Sequence, residues 1–135
     1  MEWFLMPFKR YAEFSGRSRR KEYWSFVLAY AVIIGIIDIF NNLILTSASD
    51  NNSTGLASIS LVISCILGLF SLAVFVPMLA VGVRRLHDTG RSGWYLLIPL
   101  IPLIGSLILL YFQVQDSQPG INAYGPNPKE TPAPL

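Results

Sequence analysis

The chain has 135 residues, 53% of them hydrophobic and only 13% charged, with a mean hydropathy of +0.50 and a formal net charge of +2. A soluble domain ordinarily carries about 25% charged residues, so this composition argues against one and for a membrane protein. The small net charge gives no basis for nucleic-acid binding, and the single cysteine, Cys65, excludes an intramolecular disulfide; nothing calls for a cofactor.

In chain order, residues 1–23 form a basic, aromatic leader with six basic and three acidic residues. It lacks the uninterrupted apolar core of a cleaved signal peptide, so no removal is expected. Within it, "PFKRYAEF" predicts a short interfacial helix opening at Pro7, with Phe8, Tyr11 and Ala12 on one side and Lys9, Arg10 and Glu13 toward the other. Three apolar runs follow: 24–45, 56–83 and 94–112. Each approaches or exceeds the roughly 20 residues that cross a hydrocarbon core, and backbone amides in lipid must be satisfied within the segment. The expectation is an all-α integral membrane protein with three transmembrane helices.

The second run is longer than a span requires and carries Pro77, a site for a kink. The third contains Pro99, Pro102 and Gly105 in "IPLIPLIG", and can alternatively bend back as a re-entrant hairpin. The tail, residues 113–135, is polar and rich in proline and glycine, and reads as turns followed by disorder.

Nine of the ten basic residues lie between Lys9 and Lys21 or between Arg84 and Arg91. The preference for Lys and Arg on the cytoplasmic side puts the N-terminus and the 84–91 loop inside. With three spans, the 46–55 loop and the tail would lie outside.

The blocks "FKRYAEFSGRSRRKEYW", "RRLHDTGRSGWYLLIPLIPLIG" and "GINAYGPNP", in this order, resemble domain-of-unknown-function family 805, over about residues 4 to 128. The resemblance implies a small multi-pass protein of the bacterial inner membrane, with no established activity, substrate or catalytic residue. Ala123 departs from the family block, where a basic residue is frequent; this weakens any binding role for the tail.

On their own chemistry, Arg17, Arg19, Arg20, Glu22 and Trp24 in the first block match Arg84, Arg85, His87, Asp88, Arg91 and Trp94 in the second. Both contain Gly-Arg-Ser and both end on an aromatic at a predicted helix start. Arginine forks suit carboxylates or phosphates, and tryptophan suits the membrane boundary. The eleven residues are therefore candidates for a cytoplasmic surface that binds membrane lipid or a partner membrane protein, or that pairs with itself through Glu22 and Asp88. Which arginine Asp88 takes is not legible.

Catalysis finds little footing. "Asp88-Thr89-Gly90" coincides with the aspartic protease tripeptide, but that chemistry needs two carboxylates sharing a proton on a β-fold. His87 has no nucleophile at a defined spacing and is one ligand where a metal site needs three or four. "GRSG" lacks the Walker lysine. The expectation is a non-enzymatic protein.

Asp38 is a carboxylate inside an apolar run, a candidate for ion or proton handling, with Asn41 and Asn42 at i+3 and i+4 on the same side. Ser64, Gly68 and Ser71 are spaced for close helix contact, in this chain or across a homo-oligomer. The second functional reading is accordingly a small oligomeric transporter or channel subunit using Asp38.

Overall fold

A computed structural model describes residues 5–129. Expectations for residues 1–4 and 130–135 lie outside the described residues. Four α-helices are present: α1 (Met6–Lys9), α2 (Arg20–Asp50), α3 (Thr54–Asp88) and α4 (Gly105–Val114), with a 3-10 helix, Gly93–Leu100, between α3 and α4. There is no β-strand among the described residues, only an isolated bridge between Asn122 and Gly125. Two compact units share the chain: residues 28–75, and residues 5–27 together with 76–129.

The first unit is a helical hairpin made from residues 28–50 of α2 and 54–75 of α3. Both helices are long and apolar enough to cross a membrane. They exceed the predicted runs because the polar residues of "TSASDNNSTG" bond back along the helix: Thr46 Oγ1 donates to the Asn42 carbonyl and Asn51 Nδ2 to that of Ser47, each at 2.9 Å. The loop therefore shrinks to a turn at 51–53. Asn52 adopts φ +49°, the Ser53 amide reaches back to the Ala48 carbonyl at 2.9 Å, and Ser53 Oγ accepts from the Leu56 amide.

Across the pair, Tyr30 donates to Ser71 at 3.1 Å and Asn41 Nδ2 to Ser64 at 2.9 Å, so two of the three small residues mark the contact. Gly68 does not, since a Cβ there would meet nothing within 4 Å. Much of the remaining surface is bare hydrocarbon: Leu28, Ile36, Leu69 and Leu72 are all at least 60% exposed.

The second unit joins the N-terminal segment, the last turns of α3, and everything after it. α3 runs unbroken through the buried Pro77. α1 has proline in its first turn and ends after four residues; Phe8 packs edge-on against Phe26, with ring centroids 5.2 Å apart.

The predicted third helix, 94–112, is not one helix. The 3-10 segment ends at Leu100, the chain turns through Leu103 at φ +68°, and α4 returns so that Tyr95 meets Phe112 with ring centroids 5.7 Å apart. Prolines 99 and 102 supply no backbone donor there, and Gly105 lies against the carbonyl of Ile98, where a Cβ would collide with the oxygen. The limbs are about 16 Å and 15 Å long at 2.0 and 1.5 Å per residue. The tip is apolar and open, with Leu100 79% and Leu103 92% exposed.

The tail is bonded from Gln115 to Gly125 onto Arg17, Arg85, His87 and Asp88, in the same unit as the basic blocks, and the disorder expected after its turns falls largely outside the described residues.

Candidate functional site

Asp88, the last residue of α3, has a fully buried side chain that binds two arginines at once. Its Oδ1 accepts from Arg17 Nε at 3.0 Å, and its Oδ2 accepts from Arg85 Nη1 at 2.6 Å and from the Ser117 hydroxyl. A buried carboxylate is tolerated only when paired and hydrogen-bonded, and here both oxygens are engaged.

Arg17 shows why the tail folds. Beyond Asp88 Oδ1, its guanidinium donates to the backbone carbonyls of Asp88 at 3.2 Å, Gln118 at 2.5 Å, Gly120 at 2.8 Å and Gly125 at 3.3 Å. An arginine has five N–H donors, and these five bonds use all of them. The carbonyls converge because Gly120 and Gly125 take φ +69° and +128° and because Asn122 and Gly125 exchange backbone hydrogen bonds.

Arg85 closes the other end of the hairpin. Its Nε donates to the Gln113 carbonyl at 3.1 Å and its Nη2 to that of Gln115, while Trp24 Nε1 also reaches Gln113 O and Arg20 reaches Val114 O, each at 3.3 Å. The last carbonyls of a helix have no partner within it and carry partial negative charge, so this cluster caps α4. Arg91 adds a bond to the Gln115 side chain at 2.6 Å and lies over the Phe112 ring, 4.1 Å from its centroid.

Arg84 is buried against Glu22 at 2.8 Å, and its carbonyl accepts from the Ser18 amide at 3.0 Å. Its Nε and Nη2, with Ser18 Oγ and both side-chain polar atoms of Gln113, are buried without a partner among the described residues. His87 stacks on Tyr124, with centroids 4.0 Å apart and planes 1° from parallel; its Nδ1 lies 3.0 Å from the Gly16 carbonyl. Nearer the surface, Arg10 pairs with Glu13, and its guanidinium holds that carboxyl below its ordinary pKa.

Eight of the eleven candidates thus meet in one unit as a mutually bonded knot, comprising Arg17, Arg20, Glu22, Trp24, Arg84, Arg85, Asp88 and Arg91. His87 borders it, Arg19 is half-buried, and Trp94 stands apart, 79% exposed. The residues not foreseen are those of the tail: Gln113, Gln115, Ser117, Gln118, Asn122 and Tyr124. Their signal was the "GINAYGPNP" block, whose glycines and Asn-Ala-Tyr-Gly turn impose a defined backbone.

In the other unit, Asp38 and its neighbours do not share one side. Asn41 is buried on Ser64, whereas Asp38 and Asn42 are exposed and Asn42 Nδ2 donates to the Asp38 carbonyl at 2.8 Å. No group of three or more metal-binding side chains occurs among the described residues.

Comparison with known proteins matches residues 11–126 to the family described as "Protein of unknown function (DUF805)". Two curated relatives from Escherichia coli K12 are similar over nearly their whole length. Inner membrane protein YhaI is 42% identical over 129 residues, covering 96% of this chain and 97% of the relative. Inner membrane protein YhaH is 38% identical over 132 residues, 98% of this chain and 100% of the relative. No solved structure matches.

Proposed function

This chain belongs to the DUF805 family of proteins of unknown function, and from that premise we propose that it is a non-enzymatic multi-pass protein of the bacterial inner membrane that binds anionic lipid at its cytoplasmic end. Two helices cross; the hairpin of residues 93–114 enters from the cytoplasmic side and turns back, its limbs reaching about half of a hydrocarbon core roughly 30 Å thick. Both the N-terminal segment and the tail are then cytoplasmic, in keeping with the six basic residues from Lys9 to Lys21 and the three at 84–91. The exposed apolar hairpin tip and the bare flanks of α2 and α3 support this placement.

The observation that carries the lipid reading is the division of labour among the cations. Arg17, Arg84 and Arg85 are buried and paired within the knot, so they build the scaffold. Lys9 in α1 and Lys21 in the first turn of α2 remain exposed, without an ion pair among the described residues. A basic residue near an anionic surface contributes about 1 kcal/mol, so losing both lysines weakens retention roughly 30-fold.

The test is lipid retention by native mass spectrometry. Wild-type protein is expected to prefer phosphatidylglycerol over phosphatidylcholine, and Lys9→Gln with Lys21→Gln to lose the preference while melting normally. Equal retention of the two lipids by the wild type, or an unchanged preference in the variant, overturns it. A stoichiometric membrane protein in place of lipid moves the reading to a partner-binding surface.

A further inference from the structure

Between the last turns of α3 and the 3-10 helix lies a cavity of about 450 Å³, within the range of small-molecule sites. The two helices approach closely at two glycines. At Gly93 a Cβ would stand 2.7 Å from Val83 Cγ1, and at Gly82 one would stand 3.2 Å from Leu96 Cδ2, so glycine permits each contact. Leu79 and Val83 form one wall, Leu96 and Leu97 another, and Phe14 a third; Trp94 stands at the side.

The polar groups are few and uncharged: His87, Ser92 and the Trp94 indole. The imidazole's state follows from its contacts. A carbonyl oxygen only accepts, so the Nδ1 facing Gly16 carries the proton. His87 forms no ion pair among the described residues, and the one adjacent carboxylate, Asp88, is held by Arg17 and Arg85, so no counter-charge favours imidazolium. A neutral ring with Nδ1–H leaves a lone pair on Nε2, which has no hydrogen-bond partner among the described residues.

The cavity thus offers apolar walls, one unused acceptor, and no cation for a phosphate. Of the two arginines adjacent in sequence to lining residues, Arg91 is engaged by Gln115 and the Phe112 ring, and Arg84 is buried against Glu22 outside the lining.

We infer that this cavity binds a neutral, hydroxyl-headed lipid, the class of a diacylglycerol, with its chain against Leu79, Val83 and Leu97 and its hydroxyl donating to Nε2 of His87. The inference rests on the membrane placement proposed above but not on headgroup binding by the lysines. A hydroxyl suits the site because it donates to the imidazole and can accept from Trp94 or Ser92. An anionic head is disfavoured because no counter-charge faces it.

The test uses the full chain in detergent, titrated with 1,2-dioctanoylglycerol and with the same molecule acetylated at its free hydroxyl, read by native mass spectrometry. Wild-type protein is expected to form a saturable one-to-one adduct with the first and to bind the second about fivefold to tenfold more weakly, the effect of one net hydrogen bond. His87→Phe keeps a ring against Tyr124 and removes the acceptor; it should erase that difference. Leu97→Trp, or Leu79→Phe should the first not fold, fills the cavity and should abolish both adducts.

Equal binding of the two lipids by wild type, or wild-type adducts in a folded cavity-filling variant, overturns the inference. Phosphatidylglycerol preference, measured on the same samples, reports separately on the lysines.

Discussion

Arg17 makes the boundary between charge and shape visible at the scale of one residue. A lysine there would keep the charge, yet it has three donors on a point-like ammonium where the site presents five acceptors around a planar fork. Arg17→Gln leaves Asp88 with one arginine fewer and is expected to cost about 3–5 kcal/mol, the penalty for breaking a buried pair. Arg17→Lys should recover only part of it. Thermal unfolding gives the totals, and hydrogen exchange at residues 117–125 should show those amides losing protection first. A lysine variant that matches wild type on both measures would mean that the converging carbonyls do not require arginine. That arginines would serve Asp88 and Glu22 was legible, because few other groups can share a low-dielectric site with a carboxylate. The choice of Arg17 and Arg85 for Asp88 was not, since it depends on a tail roughly a hundred residues downstream in sequence.

At the scale of elements, the long helices were readable from hydropathy alone, while their ends were not. Serine, threonine and asparagine are compatible with both loop and helix; hydrogen bonds to carbonyls four residues back favoured helix at Thr46 and tied Asn51, just past the end of α2, onto its last turn. The hairpin was readable only as an alternative: prolines 99 and 102 permit a bend within a membrane helix without requiring a reversal. Gly105 makes the reversal specific, because its Cα lies where α4 crosses the Ile98 carbonyl. Gly105→Ala is expected to lower stability by about 1–3 kcal/mol through overpacking, seen as a reduced melting temperature. Gly68→Ala, in open space within α3, should be neutral or slightly stabilising on the same measurement. Equal effects of the two substitutions would show that the crossing is loose.

For the whole molecule, the re-entrant placement proposed for the hairpin changes the parity of the topology. Three spans would separate the two chain ends, whereas two spans and a hairpin put both on one side, where the tail can reach Arg17. In a Cys65→Ser background, cysteines at Lys9 and Lys129 should be labelled from the cytoplasmic face and one at Asn52 from the opposite face. Labelling of positions 129 and 52 from the same face would restore three spans. The arrangement also sets an order of events in biosynthesis. Arg17 leaves the ribosome early, but three of its carbonyl partners lie 101, 103 and 108 residues later. At about 5–20 residues per second, the guanidinium waits on the order of 5–20 s for them. During that interval the chain is an incomplete socket, and the arrival of residues 118–125 supplies the carbonyls that close it.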